Sequence, residues 1–211
     1  MSAVRVKPRM RGVSHEYAFY ASLLLGLALV VAASGTLEHV ATAAFAGSVA
    51  AMFGVSALYH RITWPPATRR WLCRLDHAMI YTLIAGSYTA FGLLVLSGMW
   101  RVVVLTVVWS GCLGGALLKA SWVDAPKWLD AVICVGLGWV GVAAYRQFLE
   151  LGTGGVSLVV ASGVCYTLGA VVYARKRPDP VPAVFGYHEI FHVLVIAAVA
   201  CQYVAVAFFA L

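Results

Sequence analysis

Along this chain polar residues act as punctuation between long apolar runs. Crossing about 30 Å of hydrocarbon as a helix takes about 20 apolar residues. Stretches near 17–37, 40–60, 76–97, 101–120, 129–148, 155–174 and 185–210 meet that requirement. The runs are too long for strands and lack the two-residue alternation of a barrel. The pattern predicts an all-α, polytopic seven-transmembrane helix bundle, with 1–16 as a cytosolic N-terminal segment and 17–211 as a single domain. The first two runs are nearly continuous, which predicts a tight antiparallel pair. The proline-rich stretch RKRPDPVPAVFG (175–186) reads as a loop ahead of the last span.

Composition supports a membrane solvent. The chain has 211 residues, 63% hydrophobic and 11% charged, with a mean hydropathy of +0.90. A soluble domain of this size needs far more charge to cover its surface. The formal charge of +7 does not point to nucleic acid, because the basic residues sit in short clusters between spans and no nucleic-acid-binding motif accompanies them. With seven spans and a cytosolic N-terminus, the 15 basic residues fall on the cytosolic side except Arg101 and Arg146. The positive-inside rule therefore puts the N-terminus in the cytosol and the C-terminus outside. The five cysteines form no CxxC pair and read as small buried hydrophobes. The first run has no small-residue cleavage site and is expected to stay as a helix.

Ionisable groups in or at the ends of spans are costly, so each is a candidate for function. His60 closes span two in SALYHR (56–61), Asp76 opens span three in RLDHAMIY (74–81), and His188, Glu189 and His192 open span seven. The topology brings all of them to one cytosolic depth. Positions i and i+4 differ by only about 40° around a helix, so His188 and His192 can grip one ion. With His60 they make three neutral imidazoles, a common catalytic zinc set that leaves a fourth position for water. Zinc acidifies such water to a pKa of about 7. Asp76 is placed to orient or deprotonate it, and Ser56, four residues before His60, to hydrogen-bond a ligand or a developing oxyanion. Glu189 flanks the histidine pair and competes with Asp76 for the base role. HEIFH (188–192) alone also fits a zincin helix, but the chain after His192 offers no further carboxylate or histidine. The bland alternatives are interfacial histidines capping carbonyls, an Asp76 pair with Arg74 or Arg61, a Ser56 bonded to its own helix, and a His77 that only packs. His15 and Glu16 read as helix-end residues, and His39 belongs to the opposite side.

RGVSHE (11–16), SALYHR, LDHAMIYTLIAGSYTAF (75–91) and PDPVPAVFGYHEIFH (178–192) together resemble the hemolysin III family, the bacterial branch of the progestin and adipoQ receptor family. The resemblance covers nearly the whole chain. It implies seven helices, a cytosolic N-terminus, a bacterial cytoplasmic membrane location and a Zn2+ site near the cytosolic face. The family's three histidines, aspartate and serine fall on His60, His188, His192, Asp76 and Ser56. In its adiponectin-receptor relatives the aspartate reaches zinc through water, and the site is associated with ceramide amide hydrolysis. The leading expectation is thus a zinc-dependent hydrolase of a lipid amide or ester, with a membrane lipid as substrate or ligand. The alternatives are a non-enzymatic sensor of membrane state stapled by zinc and a cytolytic or pore-forming protein. Strongly apolar outer halves of the spans count against a wide pore.

Overall fold

A computed structural model describes residues 7–211. Arg5, one of the charges weighed above, lies outside the described residues. The described chain is helical, with one isolated bridge between Val181 and Phe185. Its helices are α1 (Val13–Ala32), α2 (Thr36–Arg61), α3 (Pro66–Leu94), α4 (Gly98–Ser121), α5 (Lys127–Gly138), α6 (Tyr145–Phe148), α7 (Gly152–Arg175) and α8 (Tyr187–Ala205). A π turn, Val206–Ala210, extends α8.

Local chemistry sets the boundaries. Residues 33–35 alone separate α1 from α2, and the two helices pack as the expected antiparallel pair. α3 starts well before the predicted 76, because Pro66 at its first position has the φ a helix needs and lacks only an N–H that would go unused. Gly12 precedes α1 with φ +80°, in the left-handed region. A Cβ there would stand 2.6 Å from the His60 Cβ, so this glycine also lets the start of α1 lie against the end of α2.

Among the described residues, six helical stretches are long and apolar enough to cross a membrane, not seven. Five coincide with expected spans. The sixth, Lys127–Arg175, is 49 residues long and takes in both 129–148 and 155–174. The predicted unbroken helix over 129–148 is corrected: α5 stops at Gly138, and two short 3-10 segments flank α6 before α7 begins. The cause is a side chain inserted into the helical ladder. The Tyr88 hydroxyl of α3 donates to the Gly138 carbonyl at 2.8 Å and accepts from the Gly141 N–H at 2.8 Å.

The core runs along α2, α3 and α8, where Phe45, Met52, Phe53, Leu83, Phe91 and Val195 are buried together. Leu24, Val31, Met99 and Phe208 instead present large apolar side chains outward. Such widely exposed apolar residues suit hydrocarbon, not water. The chain is a multi-pass membrane protein.

Candidate metal centre

The end of α2, the start of α8 and a position nearly three turns into α3 meet toward one end of the bundle. α2 contributes His60 from its last turn, α3 contributes Asp76, and α8 contributes His188 and His192 from its first two turns. One ring nitrogen from each histidine lies within 4.8 Å of the other two. His60 Nε2 and His188 Nε2 are 3.2 Å apart. Nitrogens bound about 2.0–2.1 Å from one tetrahedral zinc stand roughly 3.3 Å from each other, so the pair already has the needed spacing. His60 and His192 are buried, and His192 Nδ1 has no hydrogen-bond partner among the described residues. Three converging ring nitrogens fit a divalent cation, and the donor set fits zinc.

Asp76 Oδ2 lies 3.6 Å from His60 Nε2, close enough to meet an ion held by the histidines directly or across one water. The Ser56 hydroxyl also neighbours Asp76, and its short contact is to His15 Nδ1 at 2.9 Å. His15 stacks on His192 with ring centroids 3.7 Å apart and meets Phe53 edge-on. The sequence reading put His15 at an ordinary helix end. Its one signal was its position in the first turn of the first span, at the depth where the other histidines gather.

Glu189 faces away from this chemistry. Its Oε2 accepts from the Gly186 N–H at 2.9 Å, capping α8, while Oε1 accepts from Arg11. Both oxygens are engaged, which leaves Asp76 as the carboxylate facing the histidines. Arg11 belongs to a strap across the site. The Arg9 and Met10 N–H groups donate to the Ala183 and Val184 carbonyls, and Lys7 donates to the Arg61 carbonyl. Burial and the nearby Arg61, Arg11 and Arg69 lower the Lys7 pKa from its usual value. His77 packs, as one reading had it. Its Nδ1 donates to the Cys73 carbonyl at 2.7 Å and its Nε2 meets the Tyr173 hydroxyl at 3.1 Å. His39 lies about 31 Å from His60 along α2.

A second ionic group escaped the sequence reading. Lys119 of α4, counted there as a topology charge, is buried and pairs with Asp130 of α5 at 2.6 Å. Beside it and the histidines opens a cavity of about 1580 Å³ that runs from Asp76 and His192 to Ser87 and Gln202 deep in the bundle.

The sequence model of the family described as "Haemolysin-III related" matches residues 4–203. The chain is 32% identical to "Hemolysin-3 homolog" of Bacillus subtilis (strain 168) over 166 residues, 78% of this chain and 75% of that protein. It is 29% identical to "Hemolysin-3" of Bacillus cereus over 204 residues, 94% and 90% of the two chains. It is also 30% identical to "Heptahelical transmembrane protein ADIPOR2" of Oryza sativa subsp. japonica over 166 residues, 72% of this chain and 63% of that one. The family match runs over residues 4–203, which include His60, Asp76, His188 and His192: this chain belongs to the haemolysin III-related family.

Proposed function

We propose that the chain crosses the bacterial cytoplasmic membrane seven times, N-terminus in the cytosol and C-terminus outside, and hydrolyses an amide or ester of a membrane lipid with zinc. The seventh crossing comes from the stretch Lys127–Arg175. As one straight helix its 49 residues would reach about 73 Å, more than twice the hydrocarbon thickness. α5 instead packs against α7, which supports two crossings joined near 139–151. The basic clusters then select the orientation.

The observation that carries the chemistry is the meeting of three imidazoles and one carboxylate at the end of a cavity sized for a lipid chain. His60, His188 and His192 would hold the zinc. Bound there, zinc supplies Lewis acidity toward a carbonyl and activates water for attack. The protein's own groups do the rest. Asp76 takes the proton released by attacking water and returns it to the leaving nitrogen or oxygen. Ser56, held by His15, offers its hydroxyl to the developing oxyanion. The apolar cavity wall orients the chain and excludes bulk water.

The test is turnover of defined N-acyl and O-acyl lipids by detergent-purified protein, as isolated, chelator-stripped and zinc-reloaded. Release of fatty acid that disappears on stripping and returns with zinc supports the hydrolase. No release from any lipid by zinc-loaded protein turns the reading toward a zinc staple. One observation favours that second reading: Asp76 is near enough to His60 to close the ion's shell as a fourth protein ligand.

A further inference from the structure

The cavity has a second polar end. About three turns beyond the histidines, three helices place polar side chains on its wall: Ser87 from α3, Tyr166 from α7 and Gln202 from α8. The Ser87 hydroxyl donates to Gln202 Oε1 at 2.8 Å, and the Tyr166 hydroxyl stands 3.5 Å from the same oxygen. One end of the amide is thus saturated. The other end makes no hydrogen bond to the protein among the described residues, and Gln202 lines the cavity. Exchanging the amide's oxygen and nitrogen changes what is offered to the cavity, a donor or an acceptor, and not where it is offered.

Between the two polar ends the α3 and α8 sides of the wall are apolar, with Ile80, Leu83 and Ile84 on α3 and Val195 on α8, while α7 adds the Thr167 hydroxyl. Two helices measure the separation independently. Ser87 follows Asp76 by about 16 Å along α3, within about 20° of the same face. Gln202 follows His192 by about 15 Å along α8 and sits two heptads beyond His188. Interhelical glue, the ordinary use of a glutamine between helices, leaves the second end of this amide unaccounted for.

The geometry points to Ser87, Tyr166 and Gln202 as a chain-end reader, selecting an acyl chain with a hydroxyl at its far end. The inference rests on the hydrolase reading, since the carboxyl end of that chain is the product of the reaction at the histidines. An extended chain advances about 1.2 Å per bond. A span of about 15 to 16 Å therefore sets the hydroxyl about 12 to 14 bonds from the carbonyl. A hydroxyl both donates and accepts, so it satisfies either end of the amide. The step is non-covalent.

The experiment is binding, not turnover. ω-Hydroxymyristic acid, myristic acid and a mid-chain hydroxymyristic acid are titrated against zinc-loaded wild type, Ser87→Ala and Gln202→Leu in one detergent. The expected result is wild-type affinity for the ω-hydroxy acid about tenfold above that for the other two, the size of one good hydrogen bond. Gln202→Leu should erase the preference while keeping zinc and the affinity for myristic acid. Equal binding of the three acids by wild type overturns the chain-end reader and leaves the hydrolase standing. A preference that survives Gln202→Leu and Ser87→Ala does the same. Failure of folded, zinc-loaded wild type to bind any of the acids overturns both. Ser87→Ala keeps the fold testable should Gln202→Leu fail to assemble.

Discussion

Two buried ionisable groups face the same cavity, and they are built on opposite principles. Lys119 and Asp130 carry opposite charges 2.6 Å apart, so each offsets the other's charge, while Asp130 Oδ1 is buried without a hydrogen-bond partner among the described residues. His60, His188 and His192 bring like groups together, with two ring nitrogens 3.2 Å apart and no protein charge between them. The first arrangement is balanced in charge without a ligand. The second is not: three imidazoles crowded around one point, with His192 Nδ1 unpartnered, leave ring nitrogens that a cation would satisfy. A buried polar cluster thus declares its purpose by what it leaves unmatched. By that criterion the α4–α5 pair fastens helices and the α2–α8 cluster has the form of an ion site.

The largest expected effect breaks the comparison at its centre. His60→Ala removes one of three ligands and should take bound zinc from near one per chain to near zero by elemental analysis. His188→Ala should do the same. Zinc that stays after His60→Ala but leaves after His188→Ala would make HEIFH a self-sufficient zincin-like site.

Next comes Asp76→Asn, which keeps the shape of the carboxylate and removes its basicity. Zinc should remain, and hydrolysis should fall by about 10²- to 10⁴-fold, the usual contribution of a positioned acid–base group. Loss of most of the zinc in this variant would instead make Asp76 a direct ligand and favour the staple.

The ion pair supplies the contrasting control. Lys119→Met leaves Asp130 buried and uncompensated, which should cost about 3–5 kcal/mol of stability in thermal or denaturant unfolding. Zinc content should not change. Lys119→Met with Asp130→Leu should recover most of that loss, since replacing a whole buried pair with apolar residues is often neutral or stabilising. A drop in zinc in the double variant would show that the two clusters are one site.

How much of this was legible in the sequence follows from the same distinction. Hydropathy reports solvent, so the apolar runs located most of the membrane stretches. It could not report the break after Gly138, because that break is made by the hydroxyl of Tyr88, fifty residues away. His60, Asp76, His188 and His192 were visible because topology alone brings span ends to one depth. Glu189 shared the letters of a metal motif, yet Arg11 and the Gly186 N–H occupy it, partners that spacing on one helix does not reveal. Lys119 looked like any membrane-edge cation until α5 supplied Asp130. Gln202 sat unremarked in an apolar span, since its meaning depends on Ser87 and Tyr166 from two other helices.

The smallest expected effect concerns His15, which sits on the border between the two kinds of group. It is buried against the metal cluster, stacked on His192, but its own Nδ1 is spent on Ser56. Its Nε2 is buried without a hydrogen-bond partner among the described residues, but the ring stands outside the converging trio of His60, His188 and His192, and it packs and orients. His15→Phe keeps a flat ring over His192 and against Phe53 while deleting the hydrogen bond to Ser56. Stability should fall by about 0.5–1.5 kcal/mol, the net worth of one buried hydrogen bond. Zinc content and zinc affinity should hold, and Ser56→Ala should add little further loss to the double variant, because both changes remove the same contact. A zinc affinity lowered tenfold or more in His15→Phe would move His15 into the ligand set. The cluster would then hold four histidines, and the open position on which hydrolysis depends would be gone.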